Sequence, residues 1–296
     1  MRETYGKLLP GMRLADLAGK LIVIEGTDGV GRTTQIDLLK PWLEELGHAV
    51  LDTGMTRSIL AGEGIRRAKE GNNLGRVTQA LFYATDFVDR LEKEIVPALR
   101  AGFIVLTDRY IYSLMARAIV RGMDPVWIRS IFSVALKPDA VFYLRLGIDQ
   151  LVPRVVFSRG FDYWESGMDL YPGHDMFDSF CNYQGALLAE FDRLSEEYHF
   201  ETVDASADTR TVCSQLKTKI LRLLEEDSKD AIFSMLLARS AEVTARNAKE
   251  KVHAAERAEV KLYPDESKSH DVDWSLLPSP VAAQAGGNGH AILREE

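Results

Sequence analysis

Cysteine is scarce in this chain. Its 296 residues include only Cys181 and Cys213, too few for a disulfide framework or a four-cysteine metal centre, so a reducing, cytoplasmic setting is expected. The six histidines are scattered and none is paired at metal-ligand spacing. Long apolar runs are missing too. No stretch approaches the roughly 20 residues that cross a bilayer, and the opening MRETYGKLLPGMRLADLAGK lacks the continuous apolar core of a secretory signal. The expectation is a protein that neither spans a membrane nor is exported. Positive charge is in deficit: 36 Lys and Arg against 44 Asp and Glu leave a net charge of -8, which argues against nucleic-acid polymers as partners. A local basic pocket for a phosphorylated small molecule stays compatible with that balance.

What is present is the material of an ordinary globular protein. Apolar residues at 46% and charged residues at 27% exclude collagenous and wholly disordered classes, and 296 residues suffice for one domain of about 200 residues with appended pieces. Five short apolar runs, Leu21–Ile24, Ala49–Asp52, Phe103–Thr107, Ala140–Leu144 and Phe200–Val203, are nearly continuous rather than alternating, as in strands buried on both faces. Between them, Gln79–Leu99 and Met176–Tyr198 space their apolar residues three and four apart, as helices do. Strands alternating with helices predict an α/β fold: a five-stranded parallel sheet flanked by helices, with ligands outside the carboxyl edge of the strands. Past Glu226 the composition changes. Residues 227–262 read as a charged helical extension, centred on Ala231–Leu262, and 263–296, rich in Pro, Gly, Ala and Ser, as a disordered tail. Residues 1–18 form a short lead, and 19–226 the domain proper.

The strongest chemical signal lies between the first strand and the helix after it. Gly26-Thr27-Asp28-Gly29-Val30-Gly31-Arg32-Thr33 follows the phosphate-loop spacing G-x-x-x-x-G-K-[ST] except at Arg32, where the pattern has lysine. Glycines let successive N–H groups curl toward a phosphate, and the helix starting near Arg32 and running through Thr34 adds its positive end. Thr33 offers a hydroxyl to Mg²⁺. Guanidinium is planar and longer than an ammonium, so Arg32 could bridge the β- and γ-phosphates only with altered geometry. The site expected here is one for ATP and Mg²⁺, with a P-loop NTPase fold.

The run LIVIEGTDGVGRTTQ, with TDRYIYS at 107–113 and KPDAVFYL at 137–144, resembles the thymidylate kinase family over about residues 19–226. That resemblance implies transfer of the γ-phosphoryl of ATP to dTMP, and a homodimer. It also implies that Asp108 helps hold Mg²⁺, that Arg109 grips the acceptor phosphate beside Tyr110, and that Ser113 closes the motif. Asp28 matches a family carboxylate that reads the acceptor's sugar hydroxyl and the neighbouring phosphate-binding groups. Tyr83 stands where an aromatic residue stacks on the acceptor base, and Phe87 where the family carries a base-contacting arginine; both also suit the inner face of a helix. Thr53-Gly54-Met55-Thr56-Arg57 occupies the place of a T-R-E-P-G loop, leaving Arg57 or Arg66 as candidate substitutes for its arginine. Arg117 falls where an Ala-Tyr-Gln-type run lines the base pocket. Arg154 and Arg159 match a basic lid over ATP, and the stretch FDYWESGMDLYPGHD after it reads as a mobile cover. Two rivals to a dTMP kinase stand beside it: a nucleotide-binding scaffold with impaired catalysis, and a kinase of the same fold for another nucleotide.

Overall fold

The computed structural model describes residues 2–71 and 74–262. Its elements are β1 (Lys20–Gly26), α1 (Arg32–Glu45), β2 (Val50–Gly54), α2 (Gly62–Glu70), α3 (Arg76–Arg90), α4 (Val96–Arg100), β3 (Ile104–Asp108), α5 (Ile111–Val120), α6 (Pro125–Ile131), β4 (Ala140–Arg145), α7 (Ile148–Ser158), α8 (Met176–Tyr198), β5 (Glu201–Asp204) and α9 (Thr209–Leu262). The five strands, each near its expected place, form one parallel sheet in the order β2-β3-β1-β4-β5.

Both faces of the sheet are covered, which is why the strands are apolar throughout. Leu21 and Val23 of β1 pack with α3, α4, α5 and α8 on one face. Ile22 and Ile24 pack with α1, α7 and the start of α9 on the other. The chain leaves β1 toward β2 on one side and reaches β4 on the other, so the order reverses between β3 and β1. Ile24 pairs with Asp108 and Gly26 with Leu144, which brings the phosphate loop and the Asp108-Arg109 pair to that reversal. A crevice outside the strand ends at such a point is where ligands of these sheets lodge.

The helix expected over Gln79–Leu99 is interrupted. Leu91–Ile95 form a π-helical turn between α3 and α4. Pro97 has no N–H to donate back into the preceding turn, and the wider turn accommodates that loss. The lead before Gly19 is part of the domain rather than an appendage. Thr4 bridges Leu136 antiparallel, and Met12 and Leu17 are buried in the core. Tyr5 meets Tyr112 and Tyr198 edge-on, with its hydroxyl 2.5 Å from that of Tyr112.

The chain divides into two compact units, Met1–Asp230 and Ala231–Glu296. In the second, the described residues are helical to Leu262, and 239–246 are exposed. The expected tail, 263–296, lies outside the described residues. Among them no helix is long and apolar enough to cross a membrane. Because the lead closes the core through Tyr5, Tyr5→Ala should destabilise the first unit by about 2 kcal/mol, read as a lower urea midpoint at unchanged slope. An unshifted midpoint would return the lead to the status of an appendage.

Candidate active site

The phosphate loop follows β1 directly, and its glycines are required sterically. Gly26, Gly29 and Gly31 have φ of 148°, 86° and 105°. A Cβ on Gly29 would lie 2.4 Å from Val155 Cγ2, and one on Gly26 2.6 Å from the Leu144 carbonyl oxygen. The backbone can therefore run tight against α7 and β4 while the loop faces a cavity of about 750 Å³. Gly29 through Gln35 line it, together with Arg109, Arg154, Arg159, Glu165 and residues Ala205, Ala207, Asp208 and Thr209. Arg154 donates to the Ala205 carbonyl at 2.8 Å.

Arg32 does not project from the loop as a phosphate fork. Its side chain is 5% exposed and folds back under the loop, where Nη1 donates to the carbonyls of Gly26 and Thr27 and Nε to Asp108 Oδ1 at 2.8 Å. Thr33 Oγ1 donates to the other Asp108 oxygen at 2.7 Å. Burial raises the Asp108 carboxyl, but Arg32 and Arg109, with these hydrogen bonds, bring it down to about 2. An ionised carboxylate beside a hydroxyl is the hard-oxygen pair that suits Mg²⁺, whose remaining positions phosphates and water fill. Among the described residues no cluster of three or more His, Cys, Asp or Glu could hold an ion by itself.

Asp28 is the electrostatic centre. It is 1% exposed and accepts from Arg109 Nη2, from Arg117 Nη2 at 2.7 and 2.6 Å, and from Gln184 Nε2 at 3.2 Å; Arg32 Nη2 lies 3.9 Å away. Burial opposes its charge, yet Arg117, Arg109 and Arg32 together hold the carboxyl far below the ordinary carboxylate range. Glu25, one residue before the loop, takes the opposite course. It is fully buried, accepts from the N–H groups of Tyr110 and Ser113 and from Ser113 Oγ at 2.6 Å, and burial pushes its pKa up. Ser113, expected as a motif residue, thus anchors the start of α5 to β1.

Arg109 occupies a left-handed backbone conformation, φ 70°, uncommon for a residue with a Cβ. It is pinned there by its N–H on the Ile24 carbonyl and by Thr107 Oγ1 on its own carbonyl. The strain aims its guanidinium at Asp28 rather than along the strand. Its Nε is buried without a hydrogen-bond partner.

The expected acceptor wall is only partly assembled. Tyr83 lines a slot of about 10 Å³ between α3 and α5, with Gln79, Arg117 and Arg121. Phe87 is not there: it is fully buried, edge-on to Tyr110 and Phe132. Tyr110 is equally interior, its hydroxyl donating to the Leu136 carbonyl. Neither presents side-chain surface to a ligand, because an apolar ring at the arginine position is drawn into the core. The substitutes for the missing loop arginine are elsewhere as well. Arg57 pairs with Asp52 at 2.9 Å and Arg66 with Glu63, both in exposed ion pairs. Asp86 instead holds the loop, accepting from the N–H groups of Thr56 and Ser58.

The cover is seated. Trp164 is 4% exposed and donates from Nε1 to the Lys69 carbonyl, while Arg121 grips Asp169 at 2.9 and 3.1 Å and the Trp164 carbonyl. Arg159 pairs with Glu165 at the cavity rim. Glu165, Gln184 and Arg121 carry no local motif; only the fold brings them to the site.

A family model described as thymidylate kinase matches residues 24–165. A probable thymidylate kinase 2 of Saccharolobus solfataricus is 35% identical over 198 residues, 66% of this chain and 92% of its own length. The chain belongs to the thymidylate kinase family. A probable thymidylate kinase of Thermococcus kodakarensis is 31% identical across 70% of this chain and 99% of its own, and a thymidylate kinase of Brachyspira hyodysenteriae 27% across 69% and 94%. The matched span takes in the phosphate loop and the Asp108-Arg109 pair.

The low pKa of Asp108 has a definite sign. A carboxyl at about 2 in the fold, against 3.8 for the free group, contributes stability that is complete above pH 4 and is lost as pH falls toward 2. Asp108→Asn has no proton to gain, so its unfolding free energy should fall by about 2 kcal/mol less than wild type across that window in urea titrations. Parallel acid limbs would show that Asp108 is not held ionised by its neighbours.

Proposed function

We propose that this chain transfers the γ-phosphoryl group of ATP, as its Mg²⁺ complex, to dTMP, giving dTDP and ADP. The observation that carries the reading is the meeting of the phosphate loop at the end of β1 with Arg109 at the end of β3, donor cradle against acceptor grip. Phosphoryl transfer asks for positioning and charge neutralisation more than covalent help from the protein. The loop N–H groups and the start of α1 take the donor phosphates in the large cavity. Thr33 and Asp108 would hold Mg²⁺, which neutralises charge on the donor phosphates.

Arg109 orients the acceptor phosphate, and one of that phosphate's oxygens attacks the γ-phosphorus as the bond to the ADP oxygen breaks. With a second ionisation at about 6, a monophosphate needs no dedicated base at neutral pH. Arg159, half-exposed and paired only with Glu165, is free to exchange that carboxylate for the oxygens of the moving phosphoryl group. Arg154 borders the donor side. Tyr83 offers its ring to the acceptor base, a contact tolerant of base identity, so the acceptor's rank order is a matter for measurement. The family resemblance supports a homodimer, and the exposed Val77 and Leu81, one turn apart on α3, supply apolar surface for it. Light scattering at micromolar concentration should then give twice the 33.1 kDa chain mass.

The decisive experiment is ADP release over a panel of dTMP, dUMP, dCMP, dAMP and dGMP. The expected result is turnover with dTMP foremost. Tight ATP binding without turnover of any acceptor would instead establish a non-catalytic nucleotide-binding protein, and a different leading acceptor a kinase of another specificity. Arg32 supplies charge from beneath the loop, so Arg32→Met should lower kcat by about 10²-fold and Arg32→Lys by less. Equal losses in the two variants would tie activity to the guanidinium fork rather than to its charge.

A further inference from the structure

We infer that Arg117 binds the acceptor's phosphate together with Arg109, supplying from α5 the positive charge that the loop after β2 lacks. The inference rests on the acceptor reading above and adds a binding residue to it.

The loop after β2 cannot supply that charge. A Cβ on Gly54 would sit 2.9 Å from the Asp108 carbonyl oxygen, so the backbone there is packed too close for a side chain. Arg57 and Arg66 have side chains 41% and 65% exposed, in ion pairs at the surface. Arg117 stands in the opposite situation. Its side chain is 10% exposed, and α5 directs it between the slot lined by Tyr83 and the phosphate loop. A nucleotide with its base beside Tyr83 must carry its phosphate past that guanidinium to meet the donor.

The geometry favours a bridging anion. Arg109 and Arg117 both donate to Asp28 Oδ1 through Nη2. Two donors on one oxygen lie on the order of 5 Å apart, a gap that two oxygens of one phosphate span. Arg109 Nε, buried with no partner, is a donor waiting for an acceptor. Three guanidiniums, those of Arg32, Arg109 and Arg117, lie against the one carboxylate of Asp28.

Calorimetric binding of dTMP and of thymidine, without ATP, separates a phosphate contact from a structural one. Arg117→Met should weaken dTMP binding by about 10- to 100-fold and leave thymidine within about twofold, with Arg117→Lys recovering part of the loss. In turnover, KM for dTMP should rise while KM for ATP holds. Asp28→Asn combined with Arg117→Met guards against misfolding, since it removes the carboxylate left uncompensated, and the same difference between dTMP and thymidine is expected in it. Equal losses for the two ligands, or none, overturn the inference while wild-type dTMP turnover keeps the kinase reading intact. A wild-type protein that binds and turns over another mononucleotide but not dTMP overturns the acceptor reading and this inference with it.

Discussion

Burying Asp28 constrains everything around it. A carboxylate removed from water costs several kcal/mol unless opposite charge and hydrogen bonds replace its hydration. Here the replacement comes from separate elements: Arg32 at the start of α1, Arg109 just past β3, Arg117 on α5 and Gln184 on α8. One side chain within the phosphate loop thereby ties together the loop and both helical layers' contributions to the carboxyl edge. Removing any single guanidinium leaves charge unbalanced rather than merely losing a contact. These hydrogen bonds fix the charges against one another within the fold, and preorganisation of that kind is what a charge-neutralising reaction requires.

Arg32 makes sense within that constraint. A lysine presents one compact ammonium, which cannot serve two loop carbonyls and a carboxylate in three directions. The guanidinium serves Gly26, Thr27 and Asp108 at once, so the departure from the usual pattern converts a phosphate-facing charge into a brace beneath the loop. On the proposed reading the phosphates are then left to the backbone N–H groups and the arginines at the rim. The division of labour differs from the one that spacing alone suggests, while the sign of the field over the cavity is the same. The cover follows a related logic. Gly167, with φ 64°, lies so close to the Tyr183 ring that a Cβ would come within 2.6 Å, and Arg121 lies 4.7 Å from the centre of that ring while holding Asp169. Closure is therefore built into the packing, and the Arg159–Glu165 pair is the part left at the surface to exchange partners.

Strand positions and the phosphate loop were legible because each depends on contiguous residues. A strand buried on both faces must be apolar along its length, and a loop that curls around a phosphate must place glycines at set intervals. Asp108 and Arg109 were legible for a similar reason, as a short motif at a strand end. The places where reading along the chain stops are those where partners are distant in sequence. Gln184 is 156 positions from Asp28 and nothing local distinguishes it from an ordinary helix residue; Arg117, 89 positions away, is placed by the family resemblance at the base pocket but not against Asp28. The packing of residues 1–18 is illegible for the same reason, since Tyr5 acquires meaning only against Tyr112 and Tyr198.

Phe87 marks a different boundary. Its position in the family pattern was readable, but position along a helix does not determine whether a side chain faces a ligand or the core. An arginine there would be held at the edge by the cost of burying its charge; a phenylalanine has no such cost, and burial stabilises it by about 2 kcal/mol or more. The ring therefore turns onto Tyr110 and Phe132 and closes the interior against the slot. What remains beside the slot is the Tyr83 ring with three arginines, Arg76, Arg117 and Arg121.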